Sequence, residues 1–193
     1  MRPASLIVGI GGTPNPGSST ECALDVALGS AADAGMRTCK FGGEALGSLP
    51  FYSYGCLSQS KMGCELIAAI READGIIVAS PGYHGSISGL IKNALDYVEE
   101  TARDDRNYLD GLPVGLIVTA YGWQATASTL GTLRSIVHAL RGWPTPFGAG
   151  IKVGPGMFVG GACRDDNVRA QLQVVGRQVT DFVRMRLPHA AVA

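Results

Sequence analysis

Five short runs of apolar, largely β-branched residues alternate along the chain with longer segments of helical periodicity. The predicted strands span residues 5–11, 36–41, 75–80, 114–119 and 147–153, and the predicted helices span residues 18–34, 61–71, 86–101, 126–141 and 165–186. The strand runs are almost continuously apolar, as expected where helices cover both faces of a parallel sheet. Such an alternation predicts an α/β fold with three layers.

The order of the strands follows from general rules of connection. Crossovers between parallel strands are right-handed, and connections are short, so the favoured order for five parallel strands is 2-1-3-4-5. This is the doubly wound, flavodoxin-like sandwich, whose ligand crevice lies outside the carboxyl ends of strands one and three. At 193 residues the chain is long enough to bury one sizeable core, and we expect residues 1–193 to form a single domain.

The loop after the first strand has the composition of a phosphate site. It opens a predicted helix, whose first turn carries unpaired N–H groups and a partial positive charge. Glycines allow a close backbone approach, and five polar residues offer donors: Thr13, Asn15, Ser18, Ser19 and Thr20.

Two common nucleotide-binding loops do not match this segment. A Walker loop requires a lysine, which does not occur between Met1 and Arg37, and a dinucleotide fingerprint requires a glycine where Asn15 and Pro16 stand. The pattern instead favours a monophosphate held by neutral donors, as in flavin mononucleotide sites. The alternative is an ordinary turn in which one hydroxyl caps the helix.

Two more unusual loops follow the third and fourth strands, at the same predicted edge of the sheet. The first is too rich in glycine and proline to continue the strand or the helix, and the second places glycine between aromatic residues. Both can present backbone N–H groups and aromatic side chains to a flat ring. We expect these residues to line the site: Pro81, Gly82, Tyr83, His84, Gly85, Ser86, Ala120, Tyr121, Gly122 and Trp123.

Composition excludes several classes of partner. The formal net charge is zero and the sequence pI is about 6.8, so no global field attracts nucleic acid or an anionic membrane. We find neither a secretory signal nor a membrane-spanning run. Five widely spaced cysteines without a CxxC pair predict no metal site and a reducing cytoplasm.

The third crossover resembles the signature of the NADPH-dependent FMN reductases, a flavodoxin-like family that includes flavin, quinone, azo-compound and chromate reductases. That signature is roughly Pro-x-Tyr-x-x-Ser-x-x-Gly-x-Leu-Lys-Asn-x-Leu-Asp. From Pro81 to Asp96 this chain reads Pro-Gly-Tyr-His-Gly-Ser-Ile-Ser-Gly-Leu-Ile-Lys-Asn-Ala-Leu-Asp. The loop from Gly12 to Thr20 is similar to the phosphate motif of the same family. The likeness continues more weakly from Leu116 to Trp143.

The resemblance implies a cofactor and a set of binding segments. The first loop would hold the FMN phosphate, the segment from Pro81 to Ser86 the isoalloxazine ring, and Ala120 to Trp123 the other side of that ring. Asn15 departs from the family pattern, because many relatives carry an arginine there. The absence of this arginine removes a charge-assisted contact with the phosphate. Tyr121 and Trp123 replace small residues, and we expect them to narrow the pocket and alter substrate preference.

The resemblance also implies an assembly. In this family the helix after the flavin loop commonly packs against its symmetry mate, as a dimer or tetramer. The helix predicted from Ser86 to Glu100 carries a broad apolar stripe that could be buried against the sheet and against a second copy. We therefore expect a homo-oligomer through this helix.

By the same resemblance, the activity is transfer of hydride from NADPH or NADH through FMN to a small-molecule electron acceptor. No side chain is an obligatory catalyst, and Tyr83 and His84 are candidate substrate contacts. The sequence does not choose among Arg103, Arg106 and Arg164 for the 2′-phosphate of NADPH. Three alternatives stay open: an FMN-dependent dehydrogenase of a metabolite such as 2-amino-4-deoxychorismate, a non-catalytic flavodoxin-type carrier, and a flavin-free interaction domain. The neutral net charge counts against the carrier, since carriers of that type are usually acidic.

Overall fold

The computed structural model describes residues 4–186 as alternating strands and helices. The major strands are β1 (Leu6–Gly11), β2 (Arg37–Phe41), β3 (Gly75–Tyr83), β5 (Pro113–Ala120) and β7 (Ala149–Lys152). Four two-residue strands complete the set: β4 (Ser86–Ile87), β6 (Trp143–Pro144), β8 (Phe158–Val159) and β9 (Ala162–Cys163). The helices are α1 (Ser19–Asp33), α2 (Gly43–Gly47), α3 (Lys61–Glu72), α4 (Gly89–Asp96), α5 (Trp123–Ala139) and α6 (Asp166–Arg186).

The parallel sheet has the order β2-β1-β3-β5, and β6 and β7 both pair with the free side of β5. The predicted order 2-1-3-4-5 is therefore confirmed, with the fifth position divided between two short strands. β6 ends at Pro144, after which the Thr145 N–H still donates to the Val114 carbonyl, and the pairing with β5 resumes at Ala149. The predicted fifth strand, residues 147–153, was too long at both ends.

Helices cover both faces of this sheet, so strand residues alternate between two cores. Ile7 packs with α1 and α6 in one core, while Val8 and Ile10 pack with α3 and α4 in the other. Gly9 is required because a Cβ there would lie 2.6 Å from Leu28 of α1. The predicted three-layer arrangement is thus confirmed.

The segment from Pro81 to Ser86 corrects the sequence prediction of a loop. β3 continues to Tyr83 and returns through a tight turn into β4, with Tyr83 paired to Ser86. His84 (φ 49°) and Gly85 (φ 87°) both lie in the left-handed region, as a type I′ hairpin turn requires. Pro81 is tolerated because the pairing with β1 ends at Ala79 and leaves β5 as its only strand neighbour.

Helix boundaries also differ from the prediction. The helix expected from Ser86 begins at Gly89, where the Ser88 hydroxyl accepts from the Ile91 N–H, and it continues after Asp96 as a 3-10 helix to Thr101. α5 begins at Trp123, three residues earlier than predicted, with Gly122 as its N-cap. α2, a 3-10 turn at Cys56–Gln59 and the β8–β9 hairpin were not predicted. Between residues 4 and 186, no helix combines the length and the apolarity needed to cross a membrane.

Candidate functional site

A cleft of about 420 Å³ opens at the carboxyl edge of the sheet, between the loop after β1, the end of β3 and the end of β5. It brings together ten of the predicted site residues: Thr13, Asn15, Ser18, Ser19, Thr20, Pro81, Gly82, Tyr83, Ala120 and Tyr121. Three further residues line the cleft: Gly17, which lies within the predicted phosphate loop, and Thr119 and Val153, which the sequence reasoning missed. Five predicted residues lie outside the lining: His84, Gly85, Ser86, Gly122 and Trp123.

Glycine contacts fix the path of the loop after β1. Gly12 has a φ of 129° and packs directly against the backbone of Gly43. A Cβ on Gly43 would overlap the carbonyl oxygen of Thr13. The first residues of the loop are therefore held against the start of α2, a contact that sequence reasoning missed because α2 was not predicted.

The first turn of α1 faces the cleft with backbone donors available. Ser18 is the N-cap, and its hydroxyl accepts from the Glu21 N–H at 3.3 Å. The N–H groups of Ser19 and Thr20 remain without a helical acceptor, as at every helix start. The Thr13 hydroxyl is also engaged, since it donates to the Asn15 carbonyl at 3.3 Å. Ser18 thus has the capping role that was the alternative prediction, whereas the Ser19 hydroxyl makes no hydrogen bond within residues 4–186.

A buried hydroxyl pair forms the floor of the cleft. The hydroxyl oxygens of Thr20 and Thr119 are 2.6 Å apart, although the two residues lie 99 positions apart in sequence. Thr119 sits near the end of β5 between Pro81 of β3 and Ile151 of β7. It is the only hydroxyl residue of that apolar strand, a signal that could have identified it.

The cleft lining contains no lysine or arginine. The nearest charged group on α1, Glu21, pairs with Lys40 of β2 at 3.1 Å, and Lys40 also pairs with Asp25 at 2.8 Å. Burial lowers the pKa of the Lys40 ammonium, but the hydrogen bonds that it donates to the Asp25 and Glu21 carboxylates outweigh burial and raise that pKa overall. Lys40 is therefore committed to carboxylates, and an anion in the cleft would meet neutral donors and the α1 dipole.

The Cys22 thiol lies directly behind the loop, with its sulfur 3.5 Å from the Gly17 carbonyl oxygen. Burial, followed by the charges of Asp25 and Glu21, raises the pKa of this thiol. A thiol with a raised pKa stays protonated near neutral pH and is a poor nucleophile. Cys22 therefore packs as a small apolar residue.

Aromatic side chains surround the mouth of the cleft. Tyr83 is 51% exposed, Tyr121 is 88% exposed and Trp123 is 65% exposed. Tyr83 and Tyr121 border the cleft, and Trp123 lies outside it. The expected narrowing by two bulky aromatics is therefore limited to Tyr121, which stands at the rim in solvent.

Other candidate residues occupy different places in the fold. Arg106 and Arg103 precede β5, and Arg106 donates to the Ala73 carbonyl at the start of β3, so both lie at the amino edge of the sheet, opposite the cleft. The His138 side chain is exposed on α5. The Asn93 side chain donates to the Pro50 carbonyl and so anchors the loop that contains Pro50. Within residues 4–186, no group of His, Cys, Asp or Glu side chains is placed to hold a metal ion.

Comparison with known proteins identifies relatives. Residues 5–151 match the model of the family described as NADPH-dependent FMN reductase. An FMN-dependent NADPH-azoreductase of Staphylococcus haemolyticus is 38% identical over 77 residues, which is 40% of this chain and 37% of that protein. The corresponding protein of Staphylococcus saprophyticus is 43% identical over 76 residues, 39% of this chain and 37% of its own. The matched region thus spans little more than a third of these curated relatives.

Solved structures share the fold over nearly the whole chain. The flavoenzyme NAD(P)H:(acceptor) oxidoreductase FerB of Paracoccus denitrificans superposes with a TM-score of 0.74 at 20% identity, covering 94% of this chain and 98% of FerB. A WrbA-like flavodoxin of Agrobacterium tumefaciens gives a TM-score of 0.67 at 17% identity, covering 94% and 99%. These likenesses show the flavodoxin-like fold. Because the family model matches about three quarters of the sequence, this chain belongs to the NADPH-dependent FMN reductase family.

Proposed function

We propose that the protein is an FMN-dependent NAD(P)H oxidoreductase that reduces a small-molecule acceptor. The observation that carries this proposal is the cleft at the carboxyl edge, where the open N-terminus of α1 meets the β3–β4 hairpin and the end of β5. That place is the switch point at which doubly wound folds bind nucleotides. The family match supplies the cofactor and the reaction class.

The residues of the cleft fit FMN. A volume of about 420 Å³ is within the range of small-molecule sites, which is roughly 300–1,000 Å³. One end offers the N–H groups of Ser19 and Thr20 and the free Ser19 hydroxyl, which suit a phosphate. The other end lies against Gly82, where the absence of a side chain lets a flat ring approach the backbone.

Bound FMN would accept a hydride from a nicotinamide and pass reducing equivalents to the acceptor. The start of α1 would hold the phosphate, and Gly82 and Tyr83 at the end of β3 would hold the ring beside the hairpin turn at His84 and Gly85. Backbone N–H groups beside the cleft would donate to the ring edge, so no acidic side chain is required. Tyr83 and Tyr121 form the rim over which donor and acceptor enter.

The neutral lining favours a reductase of uncharged acceptors over the metabolite dehydrogenase. A substrate such as 2-amino-4-deoxychorismate carries two carboxylates, and a site for it should offer cationic side chains. The cleft lining offers none. The similarity to azoreductases is consistent with an aromatic acceptor, and the family description favours NADPH over NADH as the donor.

We also propose that the protein works as a homo-oligomer, a dimer or tetramer, built on the segment from Ser86 to Glu100. The apolar stripe of this segment is almost fully buried within the chain, with only Leu90 half-exposed, so a second copy would pack on Leu90 and on apolar residues beside the segment. The exposed Phe51 and Tyr54 supply further apolar surface on the neighbouring loop, which Asn93 of α4 ties down. Light scattering tests this surface by comparing the oligomeric state of the purified wild-type protein with that of Phe51→Ser.

We further propose that residues 1–193 form one domain and that the protein is located in the cytoplasm. Both cores share a single sheet, and all five cysteines are free, as suits a reducing compartment.

A titration of the purified protein with FMN tests the binding step, with quenching of flavin fluorescence as the signal. Ser19→Ala removes the free hydroxyl and should weaken FMN binding by about 1 kcal/mol. Ser128→Ala, an exposed serine on α5, is the matched control and should change nothing. Saturable binding that is insensitive to Ser19→Ala would contradict the assigned phosphate end, and no binding would contradict the proposal.

A further inference from the structure

The buried hydroxyl pair of Thr20 and Thr119 has a consequence for flavin selection. We propose that Thr119 is a positioning residue that turns the Thr20 hydroxyl proton toward the flavin phosphate, so that the cleft selects FMN over riboflavin. This inference rests on the proposed function and deepens it, because it names a residue outside the loop that decides which flavin binds.

The geometry leaves two arrangements of hydrogens. Each hydroxyl carries one proton, and at 2.6 Å one of the two must donate to the other. If Thr20 donates to Thr119, only lone pairs of Thr20 face the start of α1. If Thr119 donates to Thr20, the Thr20 proton remains available for a ligand. The structure thus provides a two-way switch of hydrogen-bond direction beneath the cleft.

An anion at the start of α1 selects the second arrangement. Thr20 is the second residue of α1, in the turn where the helix dipole favours negative charge. A phosphate oxygen repels lone pairs and attracts a proton, so Thr20 must donate outward and accept from Thr119. In a chain of this kind each hydrogen bond polarises the next, which strengthens the bond to the anion.

The position of Thr119 is fixed firmly enough for this role. Strands pair with it on both sides, through Pro81 of β3 and Ile151 of β7. Its side chain faces the α1 layer, as does that of Ile117 two residues earlier. Thr119 is 4% exposed and Thr20 is 2% exposed, so water does not replace either partner.

Few hydroxyl protons of the loop are free to reach a phosphate. Ser18 caps α1, and Thr13 donates within the loop to Asn15. The Ser18 hydroxyl accepts in this cap and keeps its own proton, so Ser18, Ser19 and Thr20 are the hydroxyl donors left among the lining residues of the loop, and the lining contains no cationic side chain. The phosphate contribution therefore depends strongly on the direction of the Thr20 proton.

The test compares FMN and riboflavin dissociation constants for the full chain and two variants at Thr119. Thr119→Val keeps the shape but removes the donor, and it should weaken FMN binding about five- to tenfold while leaving riboflavin within about twofold. Thr119→Ser restores the hydroxyl and should return the FMN constant to within about twofold of wild type. Thermal unfolding of each variant without flavin serves as the folding control.

A double substitution sharpens the result. In a Thr20→Val background, Thr119→Val should have no further effect on FMN binding, because its action passes through Thr20. If Thr119→Val does not fold, Thr119→Ala replaces it in both comparisons. Two results would overturn the positioning role alone. One is that Thr119→Val weakens FMN binding and riboflavin binding equally. The other is that Thr119→Val weakens FMN binding as much in the Thr20→Val background as in wild type. Wild type that binds neither flavin would overturn the proposed function and this inference together.

Discussion

The two edges of the central sheet use polar groups in opposite ways. At the amino edge, Arg106 donates to the carbonyl groups of Ile70, Arg71 and Ala73 at the end of α3. Arg71 makes two hydrogen bonds with the Asp104 carboxylate, at 2.6 and 3.2 Å. At this edge charged side chains close the last turn of a helix and fasten the connection that leads into β5.

At the carboxyl edge the helix end is left open. The first turn of α1 faces a cleft lined by neutral residues, and the nearby Lys40 is held by Glu21 and Asp25. The backbone N–H groups at this edge remain available for a ligand, whereas the helix carbonyl groups at the amino edge already accept hydrogen bonds from Arg106. Polar side chains therefore satisfy the helix carbonyl groups at the amino edge, whereas the helix start beside the cleft at the carboxyl edge is left open.

The largest effect is expected at the amino edge, from Arg106→Ala. The substitution removes the guanidinium donor from the carbonyl groups of the buried residues Ile70 and Ala73 and of the exposed Arg71, and it should lower the free energy of unfolding by about 3 kcal/mol. FMN affinity should not change, because the cleft lies at the other edge. Urea unfolding and an FMN titration measure the two quantities. Arg103→Ala, an exposed neighbour, is the control, and an equal loss there would contradict the assignment.

A substitution at the carboxyl edge should affect both stability and binding. Gly43→Ala places a methyl group on the carbonyl of Thr13 and forces the loop after β1 to move. We expect a loss of about 2 kcal/mol in stability and at least a roughly tenfold weaker FMN complex. Gly47→Ala, at the open end of α2 where a Cβ meets nothing within 4 Å, should be neutral. Unchanged FMN affinity in Gly43→Ala would remove this loop from the site.

The aromatic rim offers a smaller and more selective effect. Tyr121→Ala should raise the KM for an aromatic acceptor by about threefold, since the side chain borders the cleft but is largely exposed. Trp123→Ala should change it less, because Trp123 lies outside the lining. Both variants should retain wild-type FMN affinity. A larger effect from Trp123→Ala in steady-state assays would restore the sequence-based prediction that this residue gates the pocket.

The smallest effect concerns Asp104. The hydrogen bond from Arg71 holds the pKa of this carboxyl below its usual range, against the opposing effect of burial. A lowered pKa in the folded state stabilises the protein above the unfolded value of about 3.9, and that stabilisation is lost as the pH falls further. Because Arg71 is 47% exposed, Asp104→Asn should cost only about 0.5 kcal/mol at neutral pH. The difference from wild type should shrink in unfolding curves as the pH falls below about 4, and it should disappear only below the lowered pKa of the folded state.

The sequence predicted the framework well because the framework depends on periodic apolar patterns. The strand order and the cleft-facing loops follow from the alternation of strand and helix and from right-handed crossovers. The hairpin at His84 and Gly85 was missed because proline was read as ending the strand, whereas β3 has lost its β1 neighbour at that point.

Site residues that depend on distant contacts were harder to predict. Thr119 belongs to the site because its hydroxyl meets Thr20 across 99 positions, a contact that no local pattern specifies. The same limit applies to Gly43, whose importance arises from a short helix that the sequence did not indicate. Conversely, the apolar stripe between Ser86 and Glu100 was recognised correctly, but the structure shows that the chain buries nearly all of it.

The most direct test of the central claim is anaerobic stopped-flow absorbance of the FMN-loaded protein mixed with NADPH, and separately with NADH. The proposed function predicts rapid loss of the oxidised flavin absorbance, faster with NADPH, followed by its recovery when a quinone or azo acceptor is added. Bound FMN that neither nucleotide bleaches would contradict the assignment as an NAD(P)H-dependent reductase and would favour a carrier or a metabolite dehydrogenase on the same fold.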